Sequence, residues 1–336
     1  MTRPLFFAVI LLSFLFHGCK QKAAYVFNEG MIYGTTYHVT YESPQGKDLQ
    51  EGIEAEMNKL DNSMSTFKPN STLSKINQNR DTVLDEYFLT IYKKAHEVSE
   101  ITGGAFDITV APMVNIWGFG FKNKEHVTPE LIDSLKQLVG YKKIKLENGK
   151  IIKEHPNTML DCSAIAKGFA CDLAARYLNK EGCKNYMVEI GGEVVALGKN
   201  NKGRYWRIGI SRPTEDNFDT QQNLKAIVEL KNRALATSGN YRNFYVEGGK
   251  KYAHTINPHT GYPVQHSLLS TTVLADDCMT ADAFATGFMV LGIEKSIEIA
   301  ASRDDIEVYF IYSDEIGKYK TYVSEGFKPL IAEEFE

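Results

Sequence analysis

Asp161-Cys162-Ser163-Ala164-Ile165-Ala166-Lys167-Gly168 leads into the clearest helix–strand succession of the chain. From Ser163 to Lys180 the apolar residues Ile165, Phe169, Leu173, Ala174, Tyr177 and Leu178 recur at helical spacing, which predicts a helix. Tyr186-Met187-Val188-Glu189-Ile190-Gly191-Gly192-Glu193-Val194-Val195 then reads as a strand. Outward from this pair, further helices are predicted over 48–60, over 85–102 with Gly103-Gly104 as its stop, and from Thr128-Pro129-Glu130 to Gly140. Another runs from about Thr280 to Leu291. Strands are predicted at Tyr37 to Tyr41, Ile144 to Leu146, Tyr205 to Ile210, Leu224 to Leu230, Phe244 to Val246, Tyr252 to Ile256, Ser270 to Leu274 and Ile306 to Tyr312. No regular βαβ alternation is present. The fold class is therefore α+β, with a mainly antiparallel sheet and flanking helices.

The N-terminus reads differently. Arg3 precedes an apolar run from Leu5 to Phe16 that is too short to span a bilayer comfortably, the pattern of a secretory signal. It ends at Gly18-Cys19, similar to a bacterial lipobox, so Cys19 is the expected lipidation site. A signal cut near Gly18, or an uncleaved anchor, is the alternative. Residues 1–18 are expected to be the signal, 19–27 a lipidated tether and 28–336 the folded domain. The lipid would hold the protein at a membrane surface. The net charge of −4 gives no sign of a nucleic-acid surface. Cys162, Cys171, Cys183 and Cys278 form no C-x-x-C pair, and buried, unbridged thiols are expected, with one disulfide as the alternative.

Five segments carry candidate site residues. Gly103-Gly104-Ala105-Phe106-Asp107 reads either as a ligand-contacting loop, with Asp107 suited to a ring or a ribose, or as a helix C-cap and turn. Around Asp161, a helix start with Lys167 in its first turn suits a phosphate, and a solvated lysine is the plainer reading. Glu189-Ile190-Gly191-Gly192-Glu193 reads as part of an apolar strand, and its paired glycines imply a bulge or close ligand approach. Ser238-Gly239-Asn240 reads as a turn offering amides to phosphate oxygens, and His254 stands on a strand before the Asn257-Pro258 turn. Asp282 and Thr286, four apart on a helix, present hard oxygens suited to Mg²⁺, or else serve the helix dipole and a carbonyl back-bond. No P-loop, G-x-G-x-x-G or G-x-S-x-G is present. The residues alone point to a phosphate-bearing ligand and leave room for a divalent metal.

In combination and order the segments resemble the FAD:protein FMN transferase (ApbE) family. The matching blocks are Tyr33 to Tyr37, Met64 to Ser71 with Asn77, Gly103 to Thr109 with Trp117 to Gly120, Asp161 to Gly168 with Asp172, Val188 to Glu193, Trp206 to Ile210 with Pro213, Ser238 to Arg242, His254 to Pro263, and Asp282 to Gly287. The resemblance implies an ApbE-type fold with T-fold-like elements around one FAD cleft. It implies Mg²⁺ on Asp282, Thr286 and a backbone oxygen near Ala164. It sets FAD against Tyr33, Phe67, Ala105, Phe106, Asp107, Asp161, Lys167, Thr255 and Ile256, and puts His254 where the family has its base. Tyr33 departs from a common Met and Asn257 from a common Asp.

The chemistry implied is FMN transfer from FAD to a threonine hydroxyl of an acceptor protein, with AMP leaving. Lys167 and Mg²⁺ would neutralise the pyrophosphate and His254 would take the hydroxyl proton. The implied acceptors are flavoprotein subunits of membrane electron-transfer complexes of Na⁺-pumping or Rnf type, met at the periplasmic face of a bacterial membrane. An Mg²⁺-dependent FAD pyrophosphatase and a non-catalytic flavin-binding lipoprotein are the alternatives.

Overall fold

Tyr33 and Gly34 both take left-handed backbone (φ 52° and 76°), the geometry of a two-residue turn that matches strand twist. Across it β1 (Ala24–Ile32) pairs antiparallel with β2 (Thr35–Ser43). This hairpin starts the structure, a computed structural model that describes residues 23–121, 126–213, 224–240, 244–247 and 250–335. The expected signal and Cys19 lie outside those residues, as do Tyr241 and Arg242 of the site segments. Among the described residues no helix is long and apolar enough to cross a membrane.

Helices α1 (Gln50–Met64), α2 (Thr72–Asn77), α3 (Glu86–Ile101), α4 (Ala111–Ile116) and α5 (Pro129–Lys136) follow, then the hairpin of β3 (Ile144–Glu147) and β4 (Lys150–Lys153). Next come α6 (Ser163–Lys180), β5 (Tyr186–Ile190), β6 (Glu193–Leu197), β7 (Trp206–Ser211), β8 (Leu224–Leu230) and β9 (Ala234–Gly239). A small hairpin, β10 (Phe244–Glu247) with β11 (Lys250–Ala253), precedes β12 (Leu268–Ala275), α7 (Cys278–Leu291) and α8 (Ile293–Ala301). The chain closes with β13 (Glu307–Ser313), β14 (Tyr319–Val323) and β15 (Ile331–Glu334).

The main sheet runs β1-β2-β5-β6-β9-β12-β13-β14, every neighbouring pair antiparallel, and β15-β8-β7 form a second sheet. The period of two in a strand divides the core. Along β9, Ala234 and Ala236 join the cluster under α1, α3, α6 and α7, while Leu235 joins Trp206, Val228 and Tyr309 on the small-sheet side. The α+β reading therefore holds. A third cluster, from Met113, Ile116, Trp117, Ile132 and Ile256, builds a lobe on α4 and α5. Trp117 Nε1 ties it to the 254–263 loop by donating to the Gly261 carbonyl at 2.8 Å.

Two expectations change. Gly191 and Gly192 are not inside a strand. Their positive φ values (62° and 107°) make them the turn between β5 and β6. Ser238 and Gly239 do not form a turn but end the central strand β9, opposite Thr271 and Ser270 of β12.

Candidate active site

The cleft lies where β6, β9, α6 and α7 meet the 254–263 loop, with a volume near 470 Å³. Helix α7 supplies its floor. Apart from Thr286 and Leu291, every residue of α7 is buried, so the helix is apolar nearly all round and sits in the core. Asp172 of α6 caps it from outside, its two oxygens accepting the Cys278 and Met279 amides at 2.8 and 3.0 Å.

Gly168 permits the contact between α6 and α7. A Cβ there would stand 2.7 Å from the Cys278 carbonyl carbon and 2.8 Å from Asp282 Cβ, and nearer still to the Cys278 carbonyl oxygen. The Gly168 amide donates to Asp282 Oδ2 at 3.0 Å. In a regular helix that amide would bond the Ala164 carbonyl four residues back. Asp282 thus competes for its proton and gives the Ala164 oxygen spare accepting capacity at the cleft wall. Thr286, one turn on from Asp282, stands 3.2 Å from Ser238 through their hydroxyl oxygens. Asp282, Thr286, Ser238 and Ala164 all line the cleft.

Lys167 stands in the second turn of α6, not the first, and reaches into the cleft. Its Nζ meets Glu193 Oε1 at 2.5 Å. Burial pulls the ammonium's pKa down, but the Asp282 and Glu193 carboxylates outweigh it and leave it above the ordinary lysine value. Burial likewise raises Glu193 and Asp282, against the opposing pull of Lys167. Glu193 Oε2 is buried and has no partner among the described residues. An orphaned buried acceptor costs about 1–3 kcal/mol, more when charged. Glu193 lies within the third candidate segment, but no role for it is legible in the sequence. Its signal was the pair of turn glycines before it, but nothing in spacing joins it to a lysine 26 residues away.

The remaining residues divide. Ala105, Phe106, Asp161, Gly239, His254, Thr255 and Ile256 line the cleft. His254 is half-buried, just past the end of β11, with Phe119 edge-on at 6.4 Å. Asp161 Oδ1 accepts the Ser163 amide at 2.8 Å. Asp107 lines the cleft too, but its oxygens are used internally. Oδ1 accepts from the Thr109 amide and hydroxyl, and Oδ2 from the Tyr141 amide at 2.7 Å. The ring or ribose contact expected of it therefore has to compete with these bonds. Asn257 Oδ1 accepts the His259 and Thr260 amides, a turn role that a neutral amide fills as well as a carboxylate. Two expected residues are not in the lining. The Tyr33 hydroxyl donates to the Met57 carbonyl at 2.5 Å, which ties its ring to α1, and Phe67 is 80 % exposed beyond the end of α1. Cys162, Cys171, Cys183 and Cys278 are all buried and unbridged.

Fold and site together define an α+β protein with an acidic cleft between a buried helix and a glycine-turned hairpin. The ApbE family profile matches residues 33–310, and the chain belongs to that family. It is 38% identical over 327 residues to the FAD:protein FMN transferase of Vibrio cholerae, covering 95% of this chain and 96% of that one. It is 33% identical to the protein of the same name from Escherichia coli K12, covering 97% of each. Among solved structures it resembles the flavin transferase ApbE of Vibrio cholerae (TM-score 0.83, 38% identity, 92% of this chain and 99% of that one). The apo form of Pseudomonas stutzeri flavinyl transferase ApbE also superposes on it (TM-score 0.83, 30% identity, 94% and 99% covered).

Proposed function

We propose that this chain is an Mg²⁺-dependent transferase that moves FMN from FAD onto a threonine hydroxyl of an acceptor flavoprotein and releases AMP. The observation that carries the reading is the charge balance of the cleft. Among the described residues Asp107, Asp161, Glu193 and Asp282 line it, against the one ammonium of Lys167, which is itself paired. An anionic pyrophosphate would not enter such a place unaided, and a divalent cation reverses the balance. The donors fit Mg²⁺ in kind. The Asp282 carboxylate, Thr286 hydroxyl and Ala164 carbonyl are hard oxygens. When bound there, the cation would act as a Lewis acid on the phosphate oxygens.

The chain's own residues supply the rest. Lys167 adds positive charge toward the phosphates. Ala105, Phe106, Thr255 and Ile256 offer the walls for the flavin, and Ser238 and Gly239 the edge nearest the phosphates. Tyr33 and Phe67 enter this reading only through the resemblance. His254 accepts the proton of the acceptor hydroxyl as its oxygen bonds to the FMN phosphorus. The bond from that phosphorus to the bridging oxygen breaks, and AMP leaves with the electron pair. The acceptor is a subunit of a membrane electron-transfer complex of Na⁺-pumping or Rnf type, and lipid on Cys19 holds the enzyme at the periplasmic face. The test is AMP release from FAD with Mg²⁺, with and without a flavin-acceptor domain, reading covalent FMN by mass spectrometry. AMP matched by labelled acceptor is expected. AMP with free FMN would make it a pyrophosphatase, and intact bound FAD a carrier.

A further inference from the structure

We infer that Glu193 is a positioning residue of the cation site, holding the Lys167 ammonium off the Asp282 carboxylate so that a divalent cation can take it. The inference rests on the proposed metal site at Asp282 and Thr286. Lys167 lines the cleft together with two buried carboxylates, Glu193 and Asp282. Its ion pair is with Glu193, at 2.5 Å, and among the described residues no ion pair joins it to Asp282. The charge of Asp282 nonetheless raises the ammonium at least as strongly as that of Glu193 does, so its carboxylate is a close competitor for the lysine. An ammonium and a cation compete for the same carboxylate, so whatever fixes the lysine decides which of them Asp282 receives.

Stability does not explain Glu193. Only one of its oxygens is partnered, and a half-satisfied buried charge is worse for folding than an apolar side chain. Its position, by contrast, is closely fixed. It is the first residue of β6, directly after the Gly191-Gly192 turn. Its carbonyl accepts the Cys171 thiol at 3.3 Å, one turn along α6 from Lys167. The carboxylate is thereby anchored on the strand facing the helix that carries its partner.

The test is titration of Mn²⁺ into the full chain, read by electron paramagnetic resonance, with thermal unfolding recorded for each variant. Glu193→Gln should weaken Mn²⁺ binding about 10–100-fold, the usual effect of losing an outer-shell partner. Glu193→Asp keeps the charge but shortens the reach by one methylene, and should weaken binding in the same direction. Adding Lys167→Met to Glu193→Gln removes the competing ammonium and should restore binding. Wild-type affinity in Glu193→Gln overturns the inference. So does wild-type affinity in Glu193→Asp beside a weakened Glu193→Gln, which would mean net charge alone. Should Glu193→Gln fail to unfold cooperatively, Glu193→Asp decides. No Mn²⁺ binding by the wild-type protein would instead overturn the metal site itself.

Discussion

Replacing Gly168 by Ala tests the join between α6 and α7 at its closest point. The new Cβ would lie 2.7 Å from the Cys278 carbonyl carbon and 2.8 Å from Asp282 Cβ. Carbon atoms in contact prefer about 3.5–4.0 Å, so α7 must retreat by about 1 Å. Three hydrogen bonds to carboxylates lengthen with it. These are Gly168 to Asp282 at 3.0 Å, Cys278 to Asp172 at 2.8 Å and Met279 to Asp172 at 3.0 Å. With carboxyls that burial holds partly protonated, each such bond contributes between about 1 and 3 kcal/mol, and partial loss of three costs about 2–4 kcal/mol. Alanine returns about 1 kcal/mol of helix propensity, which leaves a net loss of about 1–3 kcal/mol and a Tm lower by several degrees. Gly52 of α1 is the control. Its Cβ would also clash, 2.6 Å from Tyr177 Cε1, but that neighbour is the far end of a half-buried side chain that can swing away. Gly52→Ala should be about neutral, since propensity and rearrangement offset each other. Urea unfolding of both variants, with AMP release from FAD, reads the difference. Gly168→Ala should also lose about 10²-fold in rate through the shift of Asp282. Equal stability of the two variants, with wild-type turnover, would mean that α6 and α7 do not need the glycine contact.

His254→Ala should cut transfer to the acceptor by about 10²–10⁴-fold while FAD still binds, because general-base catalysis is lost and the other lining residues remain. Equilibrium binding beside single-turnover transfer would separate the two. Asp282→Ala should abolish the response to Mg²⁺, and a normal metal titration of that variant would remove Asp282 from the ligand set. Asp172 gives a pH prediction. Burial holds its carboxyl up at about 7, against the pull of the Cys278 and Met279 amides. Its folded value lies above its unfolded one, so its contribution is fully present below about pH 4 and is lost as pH rises toward 7. Between pH 5 and 8 the stability difference between wild type and Asp172→Asn should change by about 2–3 kcal/mol in that direction. Chemical denaturation at both pH values measures it, and a pH-independent difference would count against a raised carboxyl.

Where period and burial agree, the sequence is legible. The predicted α6 matches Ser163–Lys180, and Leu224 to Leu230 matches β8 to the residue. The reading falters where packing overrides local preference. Ala234-Leu235-Ala236-Thr237-Ser238-Gly239 has too many small residues to read as a strand, yet it is β9, at the centre of the sheet. Its small side chains admit α7, whose Ala285 carbonyl also accepts the Thr271 hydroxyl of the next strand at 2.7 Å. The glycines at 191 and 192 carried the converse error. A run of β-branched residues on both sides hid a hairpin turn. Asp107 was legible as a special residue but not as one whose bonds are internal, because the Tyr141 amide that claims it is 34 residues away. The pairing of Glu193 with Lys167 was hidden for the same reason. A buried ion pair between distant positions leaves no periodic trace.

The stretch from Asp161 to Asp172 governs fold and site at once, because successive residues of α6 bind different neighbours. Lys167 pairs with Glu193 of β6, Gly168 admits α7 and holds Asp282, Cys171 bonds the Glu193 carbonyl, and Asp172 caps α7. These four positions fall at i, i+1, i+4 and i+5, the two adjacent rows of one helix face. One row faces β6 and the other α7. The cleft therefore forms where the two rows diverge, and its charged groups are set by the packing that makes the core. A shift of α6 by one residue would turn that face by about 100° and break all four contacts together. Substitutions that keep volume but alter this register should lose metal response and stability in step, whereas changes on the lobe of α4 and α5 should separate them.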